Sequence, residues 1–386
     1  MVNLMLQASW AASNGLWGRL LGWFYSGIGD FGWTIVIFTI CLKLVLVPLD
    51  IYQRHISNKT TEKQNEMKPE LDKAQKLYGN KPELLNQKTM EIYRKHNFNL
   101  GSSCLGLLIN MLITMVVFFT LFSALRSISN TLITDEYTTF RTTYVSTYQS
   151  VYQGYIDEYD STLTEFTTPD EYADSKATED AQIAVYNKYN EIKQGWLWIK
   201  NIYLTDTATS PFPDFKTYVQ NSRVTYKDGY TTLSDEIAGV TTEFESADKS
   251  KELAQTDYNK ICAYAIEKTK GQWNGYYILI VLAGLITYLS TKVSRIGQPK
   301  QTQKVQRPDG TFEEKEINPM GTMSIFLPLL MVFFTWSYTG LFAIYVVTNS
   351  IISVIISLVI IFVKKYFKTG TKKKTEPEIS YSRYNN

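Results

Sequence analysis

The sequence has little cysteine and no recognisable catalytic pattern. Of its three cysteines, Cys41 and Cys104 lie in apolar stretches and Cys262 lies alone in a polar one. An odd, scattered set of this kind excludes a disulfide framework, and none of the three has metal-ligand spacing. No nucleotide-binding motif or internal repeat is visible. We therefore expect no catalytic residue, no cofactor and no metal site, and a function other than that of an enzyme.

The first 30 residues also lack the pattern of a cleavable signal peptide. They have no basic start followed by a continuous apolar core and a small-residue cleavage site. Arg19 among apolar residues instead predicts, for residues 1–30, an amphipathic helix in the membrane interface, with its apolar face formed by Leu16, Trp17, Leu20, Leu21, Trp23 and Phe24.

What the chain does have is a set of long apolar runs, although its mean hydropathy is slightly negative. A membrane helix needs roughly 20 apolar residues. The last run, 323–363, would extend for roughly 60 Å as one helix, about twice the hydrocarbon thickness. It must therefore fold back, and Trp336–Gly340 is the natural turn. We predict an all-α polytopic membrane protein with five transmembrane helices at 31–49, 104–126, 274–291, 323–337 and 340–363.

The distribution of charge predicts the orientation of these spans. Residues 131–270 hold 23 acidic and 13 basic side chains, whereas residues 51–100 hold 10 basic and 6 acidic ones. The chain from Lys364 onward holds 7 basic and 2 acidic residues. The positive-inside rule then places 50–103, 292–322 and the basic tail 364–386 in the cytoplasm. The N-terminus and a separate module at 127–273 lie outside.

The two large loops carry different predictions. Residues 50–103 are charged and helix-favouring, with a break at Gly79–Pro82, and predict a cytoplasmic helical hairpin; a solvated linker is the alternative. The 127–273 insertion looks helical over 181–198 and 236–270 and predicts a small folded module. Its sequence does not show whether it is a spacer or an interaction platform.

Lys43 is the most informative single residue. It lies inside the first span, where a charge costs about 2.5–3.5 kcal/mol. No Asp or Glu lies within any predicted span to pair with it. We therefore predict that Lys43 faces a water-filled cavity; the alternative is that its side chain reaches the cytoplasmic interface.

Other polar residues lie at four-residue spacing and so share helix faces. The faces are Thr39 with Lys43 in the first span, Asn110 with Thr114 in the second, and Tyr345, Asn349, Ser353 and Ser357 in the fifth. Three such faces predict a hydrophilic groove, although Ser, Thr and Asn can also simply hold helices together. A positively charged groove would shorten the dry path for a polar segment crossing the bilayer and attract its acidic residues.

Several motifs, in order, resemble the YidC/Oxa insertase family. They are Gly32–Val36 with Lys43 and Pro48-Leu49, Met67–Glu70 with Tyr78-Gly79 and Met90–Tyr93, Asn99–Cys104 with Leu107–Met111, and Gly340-Leu341 with Tyr345 and Thr348-Asn349. The resemblance covers 31–126 and 274–366. It departs from the family pattern at Leu100, Gly106 and Leu112, where prolines are usual, and in the large 127–273 insertion.

The resemblance implies a factor that inserts membrane proteins and helps them fold, alone or with the Sec translocon. It implies that Thr39 and Lys43 contact substrate, and that the hairpin captures substrate early, with Met67, Leu71, Leu77, Leu84 and Met90 as its apolar contacts. Implied partners are nascent membrane proteins, the lipid bilayer, the Sec translocon and, through a short basic tail, the ribosome. A functional monomer without nucleic acid specificity, in a bacterial cell membrane, fits this picture.

Two other functions remain open. A transporter or channel would show inverted repeats and paired ionisable groups. A surface receptor or adhesin would act through the 127–273 insertion.

Overall fold

The computed structural model describes residues 15–98, 100–160, 165–221, 230–240, 247–296, 301–306, 312–317 and 323–372. Most of them are helical. The elements are α1 Gly15–Ile28, α2 Phe31–Tyr78, α3 Pro82–Lys95, α4 Leu100–Glu158, α5 Pro169–Ile192, α6 Phe215–Asn221, α7 Leu233–Ala238, α8 Ala247–Thr269, α9 Ile278–Ser294, β1 Gln301–Gln306, β2 Phe312–Ile317, α10 Met323–Ser337 and α11 Gly340–Lys372.

The helices carry the predicted apolar runs. α2, α4 and α11 contain stretches long and apolar enough to cross a membrane, and α9 and α10 contain shorter apolar ones. These are the five places where the hydropathy pattern predicted spans. The prediction of an all-α polytopic membrane protein is confirmed.

The junction between α1 and α2 shows how local sequence sets the helix ends. Gly29 has a φ of 75°, a left-handed conformation that glycine adopts at little cost, and it lets the chain turn after α1. Asp30 then accepts a hydrogen bond at its Oδ1 from the Trp33 amide at 2.8 Å. A side-chain acceptor at this position satisfies an amide that the first turn of α2 leaves unpaired.

Several helix boundaries differ from the predicted span ends; α4, for example, runs from Leu100 to Glu158 instead of over 104–126. α2 does not stop at residue 49 but continues as one 48-residue helix to Tyr78, because the charged residues after Leu49 favour helix as well. α9 begins at Ile278, four residues after the predicted start at Asn274. Residues 274–277 are instead held by hydrogen bonds to the 127–273 insertion, hereafter the insert.

The chain forms two compact units, and the division passes through the apolar helices. The insert-bearing unit comprises the chain up to Phe38, Thr120–Val281 and Phe333–Tyr345. The hairpin-bearing unit comprises Thr39–Phe119, Leu282–Val332 and the chain from Val346. The insert thus shares one compact unit with the adjoining ends of the apolar helices.

The insert has its own core between α4, α5 and α8. Phe140 stacks on Phe212 with ring centroids 5.7 Å apart, and Tyr189 meets Phe212 edge to face at 4.9 Å. Arg141 of α4 donates to the Thr231 carbonyl at 2.8 Å and to the Tyr230 hydroxyl at 2.6 Å, and it pairs with Glu236. The insert is thus a packed body rather than a tether, as its helical stretches predicted.

β1 and β2 pair antiparallel, with Gln301 opposite Ile317 and Gln306 opposite Phe312. They lie within the 292–322 loop, for which the sequence analysis predicted no strands. They form the two-stranded sheet of the described part of the chain.

Candidate functional site: a polar stripe on α2 and α11

Four polar residues of α2 follow one another on one helix face in the hairpin-bearing unit. Lys43, Asp50, Arg54 and Asn58 are separated by seven, four and four residues, so they lie within about one face of the helix. We call this set the polar stripe. It starts inside the predicted first span and continues beyond its end at Leu49.

Lys43 has a partner that the sequence analysis missed. Its Nζ lies 2.9 Å from Asp50 Oδ2, and the two side chains are 16% and 28% exposed. The expectation of an unpaired cation was therefore wrong, because Asp50 lies one residue beyond the apolar stretch that was searched for acids. Two helical turns separate the residues, so the Lys43 side chain extends towards the predicted cytoplasmic end, as the alternative interpretation required.

Arg54 joins the stripe to α11. Its Nη2 donates to Ser357 Oγ at 2.6 Å, and the Ser357 side chain is fully buried. One turn further along α2, the Asn58 Oδ1 atom is buried and has no hydrogen-bond partner among the described residues. A buried amide oxygen without a partner is costly, and water or a ligand group commonly satisfies it.

α11 presents hydroxyls along the predicted face. Ser353 Oγ donates to the Asn349 carbonyl at 2.8 Å, and Ser357 Oγ donates to the Ser353 carbonyl at 2.7 Å. On another side of α11, the Ser350 and Thr287 hydroxyls meet at 3.0 Å and fasten α11 to α9. Some of the hydroxyls of these helices therefore serve helix association, while Ser357 serves the stripe.

The remaining predicted groove residues fall in different surroundings. Thr39 is buried in the hairpin-bearing unit, and Thr114 of α4 is exposed. Tyr345 belongs to the insert-bearing unit, where its ring lies 6.4 Å from that of Phe342. The Asn110 side chain lies outside the described residues. The structure thus brings Lys43 together with Asp50 and Arg54 with Ser357, but it does not test the three-helix groove.

α2 and α3 form a helical hairpin that is closed at its base. Glu70 of α2 accepts from Lys95 Nζ at 2.7 Å and lies 3.3 Å from His96 Nε2. Its hydrogen bonds to Lys95 and His96 hold the pKa of the Glu70 carboxyl below its usual value. Lys63 donates to the Asn97 carbonyl at 3.1 Å. Polar links therefore hold α3 against α2.

The hairpin's apolar residues differ in their exposure. Met67 is fully buried near the base, so in this arrangement it packs the hairpin rather than meeting a substrate. Leu77 and Met90, by contrast, are 74% and 53% exposed. Leu71 and Leu84 are half-buried. Since no residue of α3 is buried, its apolar side chains are available for contact with another chain.

Asp50, Arg54 and Asn58 are the site residues that sequence reasoning missed. Their spacing from Lys43 was a usable signal, because residues seven, eleven and fifteen apart return to one helix face. Among the described residues, no group of three or more His, Cys, Asp and Glu side chains could hold a metal ion.

The family described as "60Kd inner membrane protein" matches residues 23–368, which is most of the chain. Proteins named "Membrane protein insertase YidC" match shorter stretches. That of Fusobacterium nucleatum is 39% identical over 84 residues, which are 22% of this chain and 39% of the relative. Those of Clostridium perfringens and Clostridium tetani are 41% and 40% identical over 87 and 80 residues, each covering 34% of the relative. The matched stretches thus span less than half of these relatives. No solved structure matches the chain.

Proposed function

Because the chain belongs to the YidC/Oxa family of 60-kDa inner membrane proteins and is a multi-pass membrane protein, we propose that it inserts membrane proteins into the bilayer and helps them fold. The observation that carries the proposal is the polar stripe. It begins at Lys43, a cation within the apolar part of α2, and continues past Leu49 through its partner Asp50 and the hydrogen-bonded Arg54. A charge such as that of Lys43 is expensive at membrane depth and marks a path for polar cargo.

The stripe supports a mechanism of partner exchange. A paired buried charge is tolerated, but one left without its partner is strongly unfavourable. An acidic residue of an incoming segment can replace Asp50 beside Lys43 or hydrogen-bond to Arg54, so no cation is left unpaired as the segment advances. The substrate's apolar helix then leaves to the lipid, driven by removal of its apolar surface from water.

The hairpin supplies the first contact in this proposal. Exposed Leu77 and Met90, with half-buried Leu71 and Leu84, hold an apolar segment before it reaches the stripe, while Met67 keeps the hairpin packed. Further polar contacts of the proposed groove come from Thr39, Asn110, Thr114, Tyr345, Asn349 and Ser353.

The proposed orientation places the N-terminus and the insert outside and the hairpin, the 292–322 loop and the C-terminus in the cytoplasm, following the basic loops. α1 then lies in the outer interface with Leu16 and Trp23, which are 69% and 71% exposed, towards lipid. The proposed partners are nascent membrane proteins, the Sec translocon and, through the short basic tail, the ribosome. The protein works as a monomer.

Complementation of an insertase-depleted bacterial strain tests the function. Wild type and Lys43→Arg should restore growth, whereas Lys43→Ala at equal membrane level should not. Lys88→Ala, which removes an exposed hairpin lysine, is the matched control and should behave as wild type. Failure of well-accumulated wild type to rescue would reject the insertase assignment. Rescue by Lys43→Ala would reject the stripe as its working part.

A further inference from the structure

Residues 194–209 of the insert run across the adjoining ends of three apolar helices within the insert-bearing unit. We call this segment the strap. Most of its contacts lead out of the insert, to α2, to the start of α9 and to the start of α11. The strap is also well buried, with Asn201, Ile202 and Asp206 at 0% exposure.

The strap meets α2 through the aromatic rings of Trp196 and Tyr203. The Trp196 ring covers Gly32 so closely that a Cβ atom there would overlap it, and it lies 5.8 Å from the Trp33 ring. The Tyr203 ring lies 6.1 Å from that of Phe31. Glycine at position 32 is thus what allows the strap to approach the helix.

Two side chains join the strap to the start of α9: Asn274, just before that helix, and Asp206 of the strap. Asn274 accepts from the Asn201 amide at 2.8 Å and donates to the Asn201 and Thr205 carbonyls at 2.9 and 2.7 Å. Asp206 accepts from the Tyr276 amide at 2.9 Å and from the Leu279 amide at 2.7 Å. Asp206 thereby caps α9 from a distant part of the chain, where a negative charge is favoured by the helix dipole.

Between these two amides, Tyr277 has a φ of 61°, a left-handed conformation that costs energy in a bulky residue. The hydrogen bonds to Asp206 on either side hold the backbone in that conformation.

The strap fixes the start of α11 through its backbone. The Leu204 carbonyl accepts from the Gly340 amide at 2.8 Å, and the Ile202 carbonyl accepts from the Leu341 amide at 3.1 Å. A Cβ at position 340 would lie 3.0 Å from the Ile202 oxygen. As at Gly32, a missing side chain makes the close approach possible.

Behind the strap, the helix ends are fully packed. Thr34, Ile35, Ile128, Leu279 and Leu341 are at most 1% exposed. We propose that the strap clamps the outer ends of α2, α9 and α11 and thereby seals these helix ends against water from outside. The role rests on the proposed orientation and insertion function, and it gives the insert a task in the membrane rather than in adhesion.

The test is labelling with a membrane-impermeant maleimide, applied outside cells that carry the full chain. The three native cysteines are replaced by alanine, and Thr34→Cys places a thiol on α2 one turn below Phe31. Asp206→Ala should raise its labelling rate by about tenfold, since two buried amides lose their acceptor. Val185→Ala, a cavity in the insert core away from the strap, should leave the rate unchanged.

Glu179→Cys, on the exposed surface of the insert, should label rapidly in every background and checks the orientation. If Asp206→Ala does not accumulate, Asp206→Asn, which keeps one acceptor oxygen, replaces it and should give a smaller increase. The sealing role is overturned if the labelling rate of Thr34→Cys is unchanged in a folded Asp206 variant. It is also overturned if Val185→Ala raises that rate as much as the Asp206 variant does. Labelling does not depend on insertion activity, so a protein that seals but fails to restore growth rejects only the proposed function.

Discussion

Glu136 of α4 is a carboxylic acid enclosed in the core of the insert. Its side chain is 5% exposed, and neither carboxyl oxygen has a hydrogen-bond partner among the described residues. Burial raises the pKa of Glu136 to about 8. The titratable groups close to it are Tyr189, Tyr203, Tyr218 and Cys262; burial above all, with Glu136 as a further cause, raises the pKa of each of them, so they stay neutral.

The raised pKa of Glu136 predicts a pH dependence of stability. A carboxyl that binds its proton more tightly when folded contributes stability below its unfolded pKa, near 4.5, and loses it as the pH rises through about 8. Glu136→Gln should therefore remove most of the decline in the thermal midpoint of the insert between about pH 5 and pH 9. The measurement is hydrogen exchange of α5 and α8 during heating of the full chain. Glu179→Gln, at an exposed position, should leave the decline of the thermal midpoint with pH in place. The same decline in Glu136→Gln would show that Glu136 is not its cause.

Lys43 and Asp50 predict non-additive effects on stability. Asp50→Asn leaves a half-buried ammonium without its counter-charge, which typically costs about 3–5 kcal/mol for a buried pair. Lys43→Met combined with Asp50→Asn removes both charges and should recover most of the loss. Thermal unfolding of wild type, Lys43→Met, Asp50→Asn and the double variant in lipid nanodiscs measures the coupling free energy between the two residues. Additive effects would show that the ion pair does not form in the bilayer.

The same pair shows what sequence reasoning reached at this scale. An intramembrane lysine is conspicuous because its cost is large, so Lys43 was predicted. Asp50 was not, because a search confined to the apolar window ends one residue before it. Glu136 lies on a long polar helix, where only the packed structure shows that no partner reaches it.

At the scale of elements, the hairpin of α2 and α3 has exposed apolar side chains available to a substrate and buried ones that pack the hairpin itself. Leu77→Asp should reduce photo-crosslinking between the hairpin and a nascent substrate about tenfold while leaving the unfolding midpoint unchanged, because the side chain is exposed. Met67→Ala should lower the stability of the hairpin by about 2–5 kcal/mol through the cavity it leaves. Protease resistance of the hairpin measures the second effect. Equal loss of crosslinking and protease resistance in both variants would remove the distinction.

The apolar helices were predictable because each apolar run is long enough to be recognised without tertiary information. The ends of these helices were less predictable from the sequence. α2 passes Leu49 without a break because lysine- and glutamate-rich sequence continues a helix as readily as it forms a loop. α9 starts late because Asp206, far away in the chain, determines which amide is capped. β1 and β2 went unpredicted because their polar sequence lacks the alternation typical of a strand with a buried face.

At the scale of the whole molecule, the insert shares a compact unit with the helix ends, and this affects how the deletion of the insert is interpreted. An adhesin that acts through the insert would lose its function when 131–270 is removed, whereas an insertase could keep it. The structure shows that this deletion also removes the strap and leaves the ends of α2, α9 and α11 without partners. We therefore expect the deletion to lower the amount of protein in the membrane severalfold, whatever the insert binds, because destabilised chains are degraded.

A smaller change distinguishes the role of the strap from that of the rest of the insert. Replacing 159–167, the connection between α4 and α5, by a Gly-Ser linker leaves the strap in place and should preserve membrane level and complementation. Quantitative immunoblotting of membranes measures the level of both forms. Normal accumulation of the 131–270 deletion would show that the strap is dispensable for stability.

The backbone bonds between the strap and α11 join parts of the chain that are synthesised at different times. The Ile202 and Leu204 carbonyls are made well before the amides of Leu341 and Gly340, from which they accept hydrogen bonds. In a nascent chain that has not yet reached residue 340, these two carbonyls therefore lack these two donors, and the strap gains its bonds to α11 only when the start of that helix has been made.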